Sequence, residues 1–265
     1  MSIADYANYI RRRDTPLEYI YGSNNALTVV AGRLYSGWTQ APNAGVAPTT
    51  AAVPTNATAG AIPFTATASA RILAAQAWTL NQGSIIIYDR LSHQGGLSGT
   101  TAATAQTTNL PTAALTRYTS GEGVMAFLEV YTAVGATGTT AIASYTNQAG
   151  TSGQTTLATA FGATGFNAAG RMVLLPLAVG DSGVQAVASV TLTATTGTAG
   201  NFGVTLAKPL FSIPLRDNTQ QSSIENLFSM GFIPEFGTNA CLMRGYIMVS
   251  ASTGVVHDTF TIAED

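Results

Sequence analysis

The stretch "VQAVASVTLTATT", Val184 to Thr196, decides the fold class. Read with period two, Val184, Ala186, Ala188, Val190, Leu192 and Ala194 share one face. Gln185, Val187, Ser189, Thr191, Thr193 and Thr195 share the other. Alternation of this kind describes a strand with one covered face, because successive side chains leave a strand on opposite sides. The outer face carries mostly neutral hydroxyls rather than charge.

Similar patterns lie on both sides of it. "NFGVTLAKPLFSIPL" (201–215) and "CLMRGYIMVSAS" (241–252) read as strands, as do "GVMAFLEVYTAVG" (123–135) and "TTAIASYTN" (139–147). The last two flank "GATG", which suggests a hairpin. "RMVLLPLAVG" (171–180) reads as a nearly continuous apolar strand covered on both faces. "ARILAAQAWTL" and "SIIIYDRL" flank Asn81-Gln82-Gly83, a second hairpin signal, although the alanines of the first half also suit a helix. Two short helices are expected. One spans residues 2–13, with Ile3, Tyr6, Ala7 and Ile10 on one face after an S-x-x-D start. The other begins at Ser222 and Glu225, a capping box, runs through Ile224, Leu227 and Phe228, and stops at Gly231.

The expected fold is mainly β: an antiparallel β-sandwich or jelly-roll-like barrel with a short N-terminal and a short C-terminal helix. Three regions follow: an N-terminal helix and arm (1–35), an extended Pro/Ala/Thr-rich loop (36–69) with no charged residue, and a β-rich body (70–265).

Composition limits the function. Only 9% of the 265 residues are charged, against about 25% in ordinary globular proteins. The hydrophobic share is 46%, which argues against disorder. A surface this neutral suits a chain covered by neighbours in an assembly better than a free monomer kept soluble by charge. Net charge is −2, so there is no global basic footprint for nucleic acid. The one basic run, Arg11, Arg12 and Arg13, is flanked by Asp5, Asp14 and Glu18. With Ile3, Tyr6 and Ile10 it reads as a docking arm for a partner. The single cysteine, Cys241, has no internal disulfide partner and reads as buried. No stretch resembles a signal peptide, and the expected site of synthesis is the cytoplasm of the producing cell.

Chemistry-bearing motifs are weak. "YDRLSHQGG" (88–96) places Asp89, Ser92 and His93 close together, but a triad needs the imidazole between the other two groups. The segment reads as a polar turn. His93, His257 and Cys241 are too scattered for a metal site, and His257-Asp258 reads as a solvated turn. "SGEGVMA" (120–126) has the G-x-G-x-x-A spacing but opens a β-patterned run rather than a helix. Glu129 is expected to face solvent. No catalytic residue, cofactor or metal is expected. Sugar sites usually need exposed aromatics and carboxylates; of Trp38 and Trp78, Trp78 reads as core.

From Asp89 to Leu210 the chain resembles a group of tailed-bacteriophage virion structural proteins. The resemblance is carried by "YDRLSHQGGLSGT", "TAQTTNLPTAALTRYTSGEGV", "LEVYTAVGATGTT", "SYTNQAGTSGQTT" and "GDSGVQAVASVTLTATTGTAGNFGVTLAKPL". It implies a particle component with no active site. No long spine helix is in view, so a major shell protein is not expected. A head decoration (cement) protein is, with the major capsid protein and further copies of itself, a trimer, as partners. A tail, neck or baseplate component and a receptor- or glycan-binding tip are the rival readings.

Overall fold

The computed structural model describes residues 18–40, 42–216, 223–226 and 233–264. Sixteen strands follow one another: β1 (Glu18–Asn24), β2 (Leu34–Ser36), β3 (Ala70–Trp78), β4 (Gly83–Leu97), β5 (Gln106–Thr107), β6 (Met125–Thr132), β7 (Thr139–Asn147) and β8 (Gln154–Thr155). Then come β9 (Thr159–Phe161), β10 (Met172–Leu174), β11 (Val184–Leu192), β12 (Asn201–Leu215), β13 (Ser223–Asn226), β14 (Glu235–Phe236), β15 (Leu242–Met248) and β16 (Val256–Glu264). Among the described residues one 3-10 turn, Leu110–Thr112, interrupts them.

The strands form three antiparallel sheets. A central six-stranded sheet has the order β10-β6-β12-β4-β15-β2. The first sheet runs β1-β16-β3-β13, with β14 also on β3. The third runs β5-β11-β7-β8, with β9 also on β7. Two apolar cores lie between these layers. Ile85 and Ile87 of β4, Phe211 and Ile213 of β12, and Tyr246 and Met248 of β15 pack against Ile72, Ala75, Phe260 and Ile262 of the first sheet. Leu91 of β4, Val204 and Leu206 of β12, and Leu128 of β6 pack against Ala143, Val187, Val190 and Leu192 of the third. The 15-residue strands β4 and β12 thus serve one core with one half and the other core with the other half. The result is a β-sandwich whose middle sheet is shared.

Several local expectations are corrected. β3 is a strand, not a helix, and it does not form a hairpin with β4, because the turn at Asn81–Gly83 carries the chain from the first sheet into the central one. β6 and β7 likewise belong to different sheets. Of 171–180 only Met172–Leu174 is strand; it is an edge, and Pro176, which has no N–H to donate, follows it. The helix expected from Ser222 is overturned: Ser223–Asn226 pair with Asn226↔Ala74 to Ser223↔Ala77 along the edge of β3. Pairing with a preformed strand satisfies backbone groups that a helix of some ten residues, marginal by itself, does not repay. The expected helix over 2–13, with its contact residues Ile3, Tyr6, Ile10, Arg11, Arg12 and Arg13, lies outside the described residues.

The deciding strand is itself irregular. β11 carries two bulges against β7, at Gln185 and at Ala188. Each inserts one unpaired residue and reverses which face the next side chain takes. Val187, expected outside, is therefore fully buried with Val184, Val190 and Leu192, while Ala188 is exposed. The bulges bring Val187 into the core in place of Ala186 and Ala188.

Candidate functional site

β4 puts the Tyr88–Gly96 segment in the middle of the central sheet, not in a turn. Asp89, Arg90, Ser92 and His93 are all buried. A bulge decides their directions: Leu206 pairs with Ser92 and Ala207 with Arg90, so Leu91 is the extra residue. Arg90 and His93 consequently share a face with Thr205 and Glu129.

On that face the groups form a closed network. Arg90 Nη2 lies 2.7 Å from Glu129 Oε2, with both side chains at 1% exposure or less. Arg90 also donates from Nε to His93 Nδ1 at 2.7 Å and from Nη2 to the Tyr131 hydroxyl at 2.8 Å. Its guanidinium lies 4.2 Å from the ring centre of Trp38. The Thr205 hydroxyl donates to Glu129 at 2.5 Å. Desolvation opposes ionisation of Glu129, but Arg90 and the Thr205 hydroxyl hold its carboxyl below the usual carboxylate range. Burial, with Arg90 adding, pushes His93 down to about 2, so its imidazole stays neutral. Glu129, expected at the surface, is the counter-ion of a buried arginine.

Asp89 is engaged elsewhere. Arg117 grips it with Nε and Nη2 at 2.8 and 2.9 Å, and the Cys241 backbone N–H donates to it at 2.9 Å. The Ser92 hydroxyl donates to the Ala113 carbonyl. No imidazole stands between serine and aspartate, so the triad geometry is absent. Burial raises the Cys241 thiol to about 12, which leaves it protonated and a poor nucleophile. Among the described residues no three His, Cys, Asp or Glu side chains gather as metal ligands.

The network is roofed by the uncharged segment that follows β2. β15 leaves β4 beyond the Leu242↔Asp89 pair, and the segment takes its place: Ala52 and His93 exchange both backbone hydrogen bonds, at 3.0 and 3.1 Å, and Gly95 donates to the Pro48 carbonyl. Trp38 is buried under this roof, its indole N–H donating to the Val46 carbonyl. Gly45 and Gly60 flank the indole so tightly that a Cβ on either meets it at 2.5 to 2.7 Å.

The exposed chemistry lies on the outer face of the first sheet. His257 of β16 stands opposite Trp78 of β3. Their rings are stacked, 5.2 Å apart with planes inclined by 15°. Tyr21 of β1 joins them at 6.2 Å from His257, and its hydroxyl is 2.9 Å from His257 Nδ1. Tyr21 is 61% exposed and Tyr19 70%. Trp78, expected in the core, is half-buried at the surface, whereas Trp38 is core. His257 is in a strand rather than a turn, and Asp258 beside it points inward to a bidentate pair with Arg244 at 2.5 and 2.6 Å. The alternation in "VHDTFTIAE" carried the signal, but a charged residue on the inward side masked it.

No family model and no curated protein matches the chain. A search of solved structures returns the structure of infectious bursal disease virus Gt strain, at 11% identity and a TM-score of 0.16, covering 98% of this chain and 83% of that one. A likeness of that size carries no argument about fold or function.

Proposed function

We propose that the protein is a non-enzymatic structural component of a virion, a decoration (cement) protein of the head. It binds further copies of itself, as a trimer, and the major capsid protein, after synthesis in the host cytoplasm. The observation that carries this reading is where the charge goes. Three ion pairs, Arg90–Glu129, Arg117–Asp89 and Arg244–Asp258, take six charged side chains into the interior of a chain already poor in charge. Asp89, Glu129, Asp258 and His93, the buried groups with acid or base chemistry, are held in contacts with arginines. What remains outside is β surface with many hydroxyls and few ions, which a neighbour can cover with little desolvation of charge. A contact of standard size, about 1,600 Å², repeated over a shell, supplies ample binding. The resemblance of residues 89–210 to phage virion proteins points the same way.

The test is the copy number of this chain in purified particles, measured by quantitative mass spectrometry against the major shell protein. A ratio near that of the shell protein supports decoration of the head. A ratio many times smaller assigns the chain to neck, tail or fibre and overturns the cement role. Its absence from particles overturns the virion reading.

A further inference from the structure

We propose that the Tyr21–His257–Trp78 ring group and the pocket beside it form a binding site for a neutral saccharide. The rings belong to neither apolar core, and they stand on the outer face of the first sheet. Beside them, where β3 and β16 meet the neighbouring turns, lies a pocket of about 310 Å³ lined by Trp78, Thr79, Leu80, Val255 and His257. That volume is at the small end of ligand sites, which are mostly apolar with a few polar groups placed among them.

The polar groups fit a polyhydroxylated ligand. The rows next to the rings carry Thr259 opposite both Tyr21 and Gln76, and Thr261 opposite both Tyr19 and Ala74. The side chains of Gln76, Thr259 and Thr261 make no hydrogen bond among the described residues, and each can both donate and accept. The bond between Tyr21 and Nδ1 leaves His257 Nε2 as the ring's remaining polar atom. Apart from His257, none of the residues around the rings (Ser23 opposite His257, Gln76, Trp78, Thr259 and Thr261) can carry charge, so a phosphate or an acidic peptide finds no lysine or arginine among them. Aromatic faces and hydroxyls together suit the C–H face and the hydroxyl rim of a pyranose. A flat apolar partner would leave these hydroxyls and the amide without partners, which favours the saccharide over a protein surface.

The experiment uses the full chain with methyl glycosides of glucose, galactose and N-acetylglucosamine and their β-linked oligomers, at millimolar concentration. Binding is read by saturation-transfer NMR and by tryptophan emission, in which buried Trp38 serves as the folding reference. At least one neutral glycoside is expected to bind and to shift the Trp78 signal. Trp78→Ala is expected to weaken that binding about tenfold or more. Leu80→Arg, at a position 53% exposed, places bulk and charge at the pocket without touching a core and is expected to do the same. Silence across the panel, or undiminished binding by both variants, overturns the proposal. So does a wild-type oligomer in light scattering that Leu80→Arg dissociates, because the face is then a contact between copies.

Discussion

Arg90 shows how a buried charge is held in this protein. A guanidinium taken out of water costs several kcal/mol unless a counter-charge and hydrogen-bond acceptors meet it. Here Glu129 and the Tyr131 hydroxyl from β6, His93 from β4 and the Trp38 ring from the segment after β2 do so. Glu129→Ala leaves Arg90 buried and unpaired, and a loss of about 3–5 kcal/mol is expected in urea denaturation. Arg90→Met combined with Glu129→Leu removes both charges and is expected to recover most of that loss. A second consequence concerns pH. His93 stays neutral in the folded chain down to about 2, whereas the unfolded chain takes up its proton near 6.5. The unfolded state therefore binds more protons between those values, and stability falls as pH falls through that window, by up to about 1.4 kcal/mol per unit. His93→Gln keeps an acceptor for Arg90 without the titration. Between pH 6.5 and 5 the wild type is expected to lose more stability than this variant, as read from paired thermal melts; parallel curves would show that His93 protonates in the fold.

At the scale of elements, bulges and close approaches set the geometry. Gly203 sits at an irregularity where β12 crosses the Gln94–Gly95 stretch of β4, and a Cβ there overlaps the Gln94 carbonyl oxygen and the Gly95 Cα. All of these atoms are backbone, which leaves nothing flexible to give way. Gly203→Ala is expected to cost several kcal/mol or to prevent soluble expression, because β4 and β12 are the strands both cores share. Gly138→Ala is the control: its nearest neighbour is the Ala163 Cβ at 3.5 Å, an ordinary contact, and a change within about 1 kcal/mol is expected. Equal melting temperatures for the two variants would refute the close-approach argument.

For the whole molecule, the shared strands couple the two cores. Disordering β4 or β12 removes a wall from each at once. One cooperative transition is expected, with far-UV circular dichroism and tryptophan emission coinciding across denaturant. Two separated transitions would mean that the lobes fold independently.

What the sequence determined by itself was the class of structure and the positions of half of the strands, including the two long ones that both cores share. β7 and β12 occupy the expected residues, 139–147 and 201–215, because alternation and the turn glycines around them are local properties. The burial of Cys241 followed from its apolar neighbours in the same way. Which strands pair was not local: Asn81–Gly83 and "GATG" look like hairpin turns, yet each carries the chain between sheets. The directions of single side chains were decided by tertiary structure too. Bulges at Gln185, Ala188 and Leu91 each shift the period by one, and this alone sends Val187 inward and sets Arg90 beside His93. The partners of the charged residues are distant in sequence, Arg90 with Glu129 and Arg117 with Asp89, so a polar strand interior read as a turn. The ring group at Trp78 was hidden for the same reason, since β1, β3 and β16 are far apart in the chain and meet only in the first sheet. Period is written into neighbouring residues; register and long-range pairing are settled only when the sheets close on their cores.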